Sequence, residues 1–301
     1  MVDDLGVAWI NSSPAYGDKM QDIDGMQHAF EEKIKSTKEY DLKKYKDTIL
    51  GIVDILGFSQ FIQTEKDNAS KKIIEIINDS IFINKFALPE NIQYKMLSDT
   101  FIVYSDVITA KNVYYVICAL ENFRVRLLEN GFLCRGALVK NKNYIHNDII
   151  ISEALVDAYK IESSVAKYPR IIVDMSVIDI IKPQIVSGDI LNEAKCLIKN
   201  RVIKDFDNEY IITPFVGLAE IAAYLYEDFR YFSCRDDPEN QQLFIVAMTK
   251  FRDGLNSCKQ RISTRECANK MNYFINAYNK TLKEASVLLK ANICELYLEN
   301  V

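Results

Sequence analysis

The chain has 301 residues, 49% of them apolar and 26% charged, so it can bury a substantial core as one large domain or two smaller ones. Its formal charge of −5 speaks against nucleic acid as the main partner, and no window approaches the about 18 uninterrupted apolar residues of a membrane span. Seven cysteines in no close pair and only two histidines, His28 and His146, exclude a disulfide framework, structural zinc and histidine-centred catalysis as expectations. Asp3 and Asp4 precede any apolar run, which is unlike a signal peptide. A cytoplasmic protein is expected, in which any metal must be held by acids.

Residues 1–45 are polar and charge-rich, with Gly6, Pro14, Gly17 and Gly25, and read as an irregular arm with a short helix near 27–40. Residues 48–54 follow as a strand, apolar and β-branched from Ile49 to Val53 as a central strand must be. The strand ends on Asp54 and runs into Gly57, which permits a tight turn, with Ser59 as N-cap of the next helix. Ile73, Ile77 and Ile81 predict an amphipathic helix over 70–86. Tyr94–Leu97 and Phe101–Tyr104 flank Ser98-Asp99-Thr100 as a hairpin. Val113, Val116, Ile117, Leu120, Phe123 and Leu127 mark a helix over 112–129. A strand over 132–139 is expected to pair with one around 143–145. Leu155, Ala158, Ile161 and Val165 form another helical face, and 170–174 returns to strand.

This order predicts an α+β fold, a ferredoxin-like βαββαβ core whose antiparallel sheet carries helices on one face. Helices are expected over 218–232, 239–257 and 264–298, the last with Met271, Ile275, Tyr278, Leu282, Ala285 and Leu289 on one side. The organisation reads as an N-terminal arm (1–45), a domain over 46–214 and a helical C-terminal region over 215–301.

In such a sheet the first strand and the hairpin are neighbours, so Asp99 can lie beside Asp54. Paired carboxylates there could hold two Mg²⁺ or Mn²⁺ ions, hard cations that prefer oxygen. Amides at the glycine turn would face phosphate oxygens, with metal lying between them and the acid. One ion then activates an attacking oxygen while the other holds the leaving phosphates. Each acid also has a plain reading: a strand-end Asp as a turn former, and Ser-Asp-Thr as ordinary turn chemistry.

The segments "VDILGFSQF" and "KMLSDTFIVYS" resemble the class III nucleotide cyclase domain. "RGALV" (135–139) and "SEALVDAYKIESSVAKYPRIIVD" (152–174) are similar to the pyrimidine cyclases of the Pycsar antiphage system, with a looser echo in "KMNYFINAYN" (270–279). The resemblance implies a class III cyclase core with a C-terminal helical extension. It implies a lyase that converts UTP or CTP to the 3′,5′-cyclic monophosphate and pyrophosphate, leaving cytosine and uracil open. The product would activate a separate effector protein.

It also implies Asp54 and Asp99 as catalytic metal-binding carboxylates, with the Ile55 carbonyl as a further ligand of the two Mn²⁺ or Mg²⁺ ions. The backbone of Leu56, Gly57, Phe58 and Ser59 would bind the β- and γ-phosphates. Lys95 would read the base, Arg135 would face phosphate or instead pair structurally with an acid at the core edge, and Lys160 would stand where an arginine usually meets the α-phosphate, without that residue's bidentate fork. Arg170 is expected to pair with Glu162. A homodimer with composite sites follows, Asp54 and Asp99 from one chain and Lys160 from the other, steadied by the helical tail.

The sequence departs from the pattern at Val156-Asp157, where an asparagine usually orients the ribose, and at Ser98, Asn141 and Ser152, where glycines are expected. These departures fit an alternative, a catalytically silent cyclase-like module that senses nucleotide. A palm-type nucleotidyltransferase would need a basic groove for its primer, which the acidic chain does not offer.

Overall fold

The computed structural model describes residues 28, 45–65, 67–146, 149–186, 201–215, 238–289 and 294–301. The chain divides into two units at Tyr45/Lys46. The expected N-terminal arm, apart from His28 and Tyr45, and the expected helix over 218–232 lie outside the described residues.

The second unit is mixed α+β. In chain order its elements are β1 (Lys46–Ile55), α1 (Phe58–Glu65), α2 (Asp67–Ala87), β2 (Gln93–Leu97), β3 (Thr100–Ser105) and α3 (Ala110–Glu129). There follow β4 (Cys134–His146), β5 (Ile149–Ser152), α4 (Glu153–Ser164), β6 (Ile171–Val173), α5 (Met175–Val186), β7 (Val202–Lys204) and β8 (Tyr210–Ile212). The tail supplies α6 (Pro238–Lys259) and α7 (Arg265–Leu289). The described strands form one sheet in the order β2-β3-β1-β4-β6-β8-β7, with β5 pairing to β4. Every neighbouring pair is antiparallel except β4–β6.

β1 is central, and its side chains alternate between two cores. Ile49, Val53 and Ile55 join Ile73 and Ile76 of α2, Val116, Leu120 and Phe123 of α3, and Val177 and Ile181 of α5. Leu50 and Ile52 point the other way, to Ile102, Ala137 and Val139 and to Ala154 and Ala158 of α4. Helices thus cover both faces, which corrects the expectation of one. The parallel β4–β6 pair requires a crossover, and α4 makes it on the face that α2, α3 and α5 leave open.

Other boundaries also differ. β4 runs unbroken from Cys134 to His146, so 143–145 is the far end of that strand, and its hairpin partner is β5 (Asn143↔Ser152, Tyr144↔Ile151). The polar run Lys140–Asn143 hides this continuity. Ser59 lies inside α1, which starts at Phe58, so it is not the N-cap. In α2 the fully buried line is Ile73, Ile76, Ser80 and Asn84, with Ile77 and Ile81 at its margin. Its two polar members are satisfied: Ser80 donates to the Ile76 carbonyl, and Asn84 accepts from Asn122.

The tail's apolar stripes are used within the chain. Phe244, Met248, Phe251, Leu255, Met271, Phe274, Ile275, Tyr278 and Leu282 close a second core on Val125, Leu128 and Phe215. The expected helix over 264–298 does not continue to its end, because residues 297–301 are non-helical. They return along α7, where Asn279 and Asn272, two turns apart, clamp the backbone of Leu298 and Val301. Among the described residues no helix is long and apolar enough to cross a membrane.

Candidate functional site

The register brings the singled-out residues of three strands together. Asp54 lies opposite Thr100 on β3 and opposite Arg135 on β4. Because Leu50 and Ile52 face α4, Asp54 faces α4 too, two residues on in the same strand. Asp99 occupies the two-residue turn between β2 and β3, one position before Thr100. Its neighbour Ser98 has φ +56, a left-handed conformation that explains why glycine is the usual residue there.

The site is acidic and only partly closed. The Asp54 side chain is 23% exposed, and its carboxyl pKa is pushed up to about 6. Burial is the main cause, followed by the negative charges of Asp99 and Glu162; Arg135 and a hydrogen bond from Thr100 pull the other way. Arg135 Nε stands 4.0 Å from Asp54 Oδ2 and pairs directly with Glu162 Oε1. Burial also raises the Glu162 carboxyl, against the attraction of Arg135. Ala154, Ala158 and Glu162 are the buried line of α4, so the helix that covers the sheet delivers this acid.

Gly57 closes the turn after β1 with φ +76, and the space where a side chain would project is open for 4 Å. The first amides of α1 are left without intrahelical partners, so Gly57, Phe58 and Ser59 can present N–H groups to an anion. Leu56 cannot, since its amide donates to the Leu133 carbonyl at 2.9 Å. That corrects its place in the expected phosphate loop. On the next strand, Gly136 allows β4 to close on β1: any side chain there would collide with the Ile52 carbonyl.

Other expected residues lie farther from the carboxylates. Lys95 is exposed on β2 opposite Ile102, and since Tyr94 and Met96 pack toward α3 it projects on the Asp54 face. Lys160 is two residues before Glu162, which turns it away from the sheet. Its side chain is 72% exposed and lies 3.5 Å from Asp157. Asp157 also accepts a 2.7 Å hydrogen bond from Asn141. The structure therefore brings Asp54, Asp99 and Arg135 together and leaves Lys160 outside this group. Arg170 does not pair with Glu162; it is held by Asp205 and Asp207 of the β7–β8 turn. Glu162 is thus the site residue that sequence reasoning placed elsewhere. An acid eight residues after Ala154 and four after Ala158, on the helix's buried face, was the available signal of a buried partner.

A metal cage made by protein alone is absent: among the described residues no group of three or more His, Cys, Asp or Glu is placed to hold an ion. The donor set nevertheless fits Mg²⁺ or Mn²⁺, which commonly take one or two carboxylates and complete their shell with water and substrate phosphates. Burial and the neighbouring charge of Asp99 both disfavour the ionised form of Asp54, and a bound cation would relieve both.

No family model and no curated protein matches the chain. Among solved structures it is similar to a bacterial light-regulated adenylyl cyclase at 13% identity and a TM-score of 0.31, over 56% of this chain and 58% of that one. The match spans less than two thirds of that protein, and a superposition at this score does not by itself define a shared fold.

Proposed function

We propose that the chain is a metal-dependent nucleotide cyclase that converts a pyrimidine nucleoside triphosphate to its 3′,5′-cyclic monophosphate and pyrophosphate. The observation that carries this reading is the register that sets Asp54 opposite Thr100, one residue from Asp99, with the open Gly57 turn three residues after Asp54. Asp54, Asp99 and the Ile55 carbonyl would hold two Mn²⁺ or Mg²⁺ ions. When bound, such ions acidify the ribose 3′-OH and neutralise the leaving pyrophosphate. The chain's own part is positioning. Amides of Gly57, Phe58 and Ser59 hold the phosphates, Arg135 adds a cation beside them, and Lys95 reaches the base. Lys160 points away from its own carboxylates and is available to a second copy, which supports a homodimer with shared sites.

The pyrimidine preference, the antiphage role and the separate effector rest on the resemblance of "RGALV" and "AYKIESSVAKYPRI" (158–171). A silent nucleotide sensor is favoured by one observation: the Leu56 amide, expected to hold phosphate, is taken by the Leu133 carbonyl.

Purified protein incubated with each of the four NTPs and Mn²⁺, with products separated by mass, decides between them. A cyclic UMP or cyclic CMP product that disappears in Asp54→Ala/Asp99→Ala is the expected result. A cyclic purine would move the specificity. Nucleotide binding by melting shift, with no cyclic product from any NTP, would establish the sensor.

A further inference from the structure

An arginine directly across from an aspartate on the adjacent strand is placed to close a bidentate pair, which would occupy both carboxylate oxygens. Arg135 and Asp54 have that register and do not make that pair. The nearest approach is 4.0 Å, from a guanidinium whose Nε is in direct contact with Glu162. Glu162 comes from the opposite layer, and its side chain is 6% exposed, far more enclosed than those of Asp54 at 23% and Arg135 at 26%. Two alanines with no exposed surface, Ala154 and Ala158, let α4 approach the sheet closely enough to place it there. The acid with the least access to solvent therefore takes the arginine, and the more accessible acid, which accepts a hydrogen bond from Thr100, keeps its oxygens free of the guanidinium.

We propose that Glu162 is a positioning residue, which restrains the Arg135 guanidinium so that Asp54 stays open to a divalent cation. The inference rests on the metal-site reading of Asp54 and Asp99 and extends it to the second layer around them. In this arrangement Arg135 remains near enough to meet an incoming phosphate, but it does not compete with the ion for Asp54. Replacing Glu162 with a neutral residue frees the guanidinium to close on Asp54, and the cation then has to displace it.

The test is Mn²⁺ binding to nucleotide-free protein, followed by paramagnetic resonance titration. Glu162→Gln is expected to weaken Mn²⁺ by about tenfold, the scale on which outer-shell partners tune metal affinity. Adding Arg135→Met removes the competitor, so Glu162→Gln/Arg135→Met returns to within about twofold of wild type, while Arg135→Met alone changes Mn²⁺ affinity by less than about twofold, a coupling that independent sites would not show. Glu162→Asp keeps the charge and guards against a folding defect in the glutamine variant; it retains Mn²⁺ binding. A double variant as weak as Glu162→Gln, or a Glu162→Gln that binds like wild type, overturns the proposal while leaving the metal site in place. Wild-type protein that binds no Mn²⁺ overturns the metal-site reading and this inference with it.

Discussion

Two of the ionic clusters among the described residues, both built from carboxylates and arginines, lie on opposite faces of the sheet. On the α3 side, Glu121 has no solvent exposure and pairs with Arg201, with Arg124 3.9 Å away. Arg124 also donates to the Ile212 and Thr213 carbonyls, tying β8 to α3. On the α4 side, Asp54, Asp99 and Glu162 gather around Arg135, open to solvent and with acid in excess. The first is sealed and supplied with more guanidinium than carboxylate; the second is accessible and short of positive charge. A closed cluster specifies how elements dock, whereas an unbalanced accessible one has room for a ligand of opposite sign.

The largest effect should come from breaking the closed cluster. Glu121→Ala leaves two buried guanidinium groups without that carboxylate, and it is expected to lower stability by about 3–5 kcal/mol in urea unfolding. A loss under about 1 kcal/mol, the range of surface pairs, would mean the cluster is not sealed as described.

The open cluster should respond in the opposite direction. The Asp54 pKa is raised in the folded protein, so its carboxyl binds a proton more tightly folded than unfolded. This group's contribution to stability is therefore present at low pH and lost as pH rises from about 4 through about 6. Asp54→Asn should stabilise the protein at pH 7.5 by about 1–2 kcal/mol, and the gain should fade by pH 4. A destabilising Asp54→Asn at neutral pH would show that Arg135 depends on Asp54 as a structural partner. Stability gained by deleting a carboxylate would mark the open cluster as one maintained for binding.

The two clusters also differ in how far they could be read from the chain. The Asp54 strand, the Asp99 turn and the α3 stripe are local patterns, and strand alternation with helical spacing is enough to find them. Glu121 and Arg124 sit inside that stripe as charged residues, which a periodicity argument assigns to solvent. They are buried because Arg201 and the β8 carbonyls meet them from about 80–90 positions away in sequence. Glu162 is the acid near Arg170 in the chain, but Asp205 and Asp207 reach Arg170 through β8, a neighbour only in the sheet. Charge pairing across layers follows topology, and a sequence carries no direct mark of it. The covering of both faces is hidden for a similar reason: β1 is buried without a break from Thr48 to Val53, so alternation cannot show that its two sides face different helices.

The smallest expected effect sharpens the comparison without altering any charge. Ser98 holds φ +56 in a two-residue hairpin turn, a region costing an L-residue about 1–2 kcal/mol, which glycine avoids while losing more chain entropy on folding. Ser98→Gly should therefore stabilise by about 0.5–1 kcal/mol in thermal unfolding, at any pH. Its use lies in what it does to Asp99. If the turn alone aims that carboxylate, relieving the strain leaves Mn²⁺ affinity unchanged and only the stability moves. If strain at Ser98 keeps Asp99 turned toward Asp54, Ser98→Gly loosens the pair and weakens Mn²⁺ while the fold becomes more stable. A gain in stability at the expense of metal binding would show that the open cluster is held by backbone strain as well as by charge, something the closed cluster, enclosed within its own packing, has no need of.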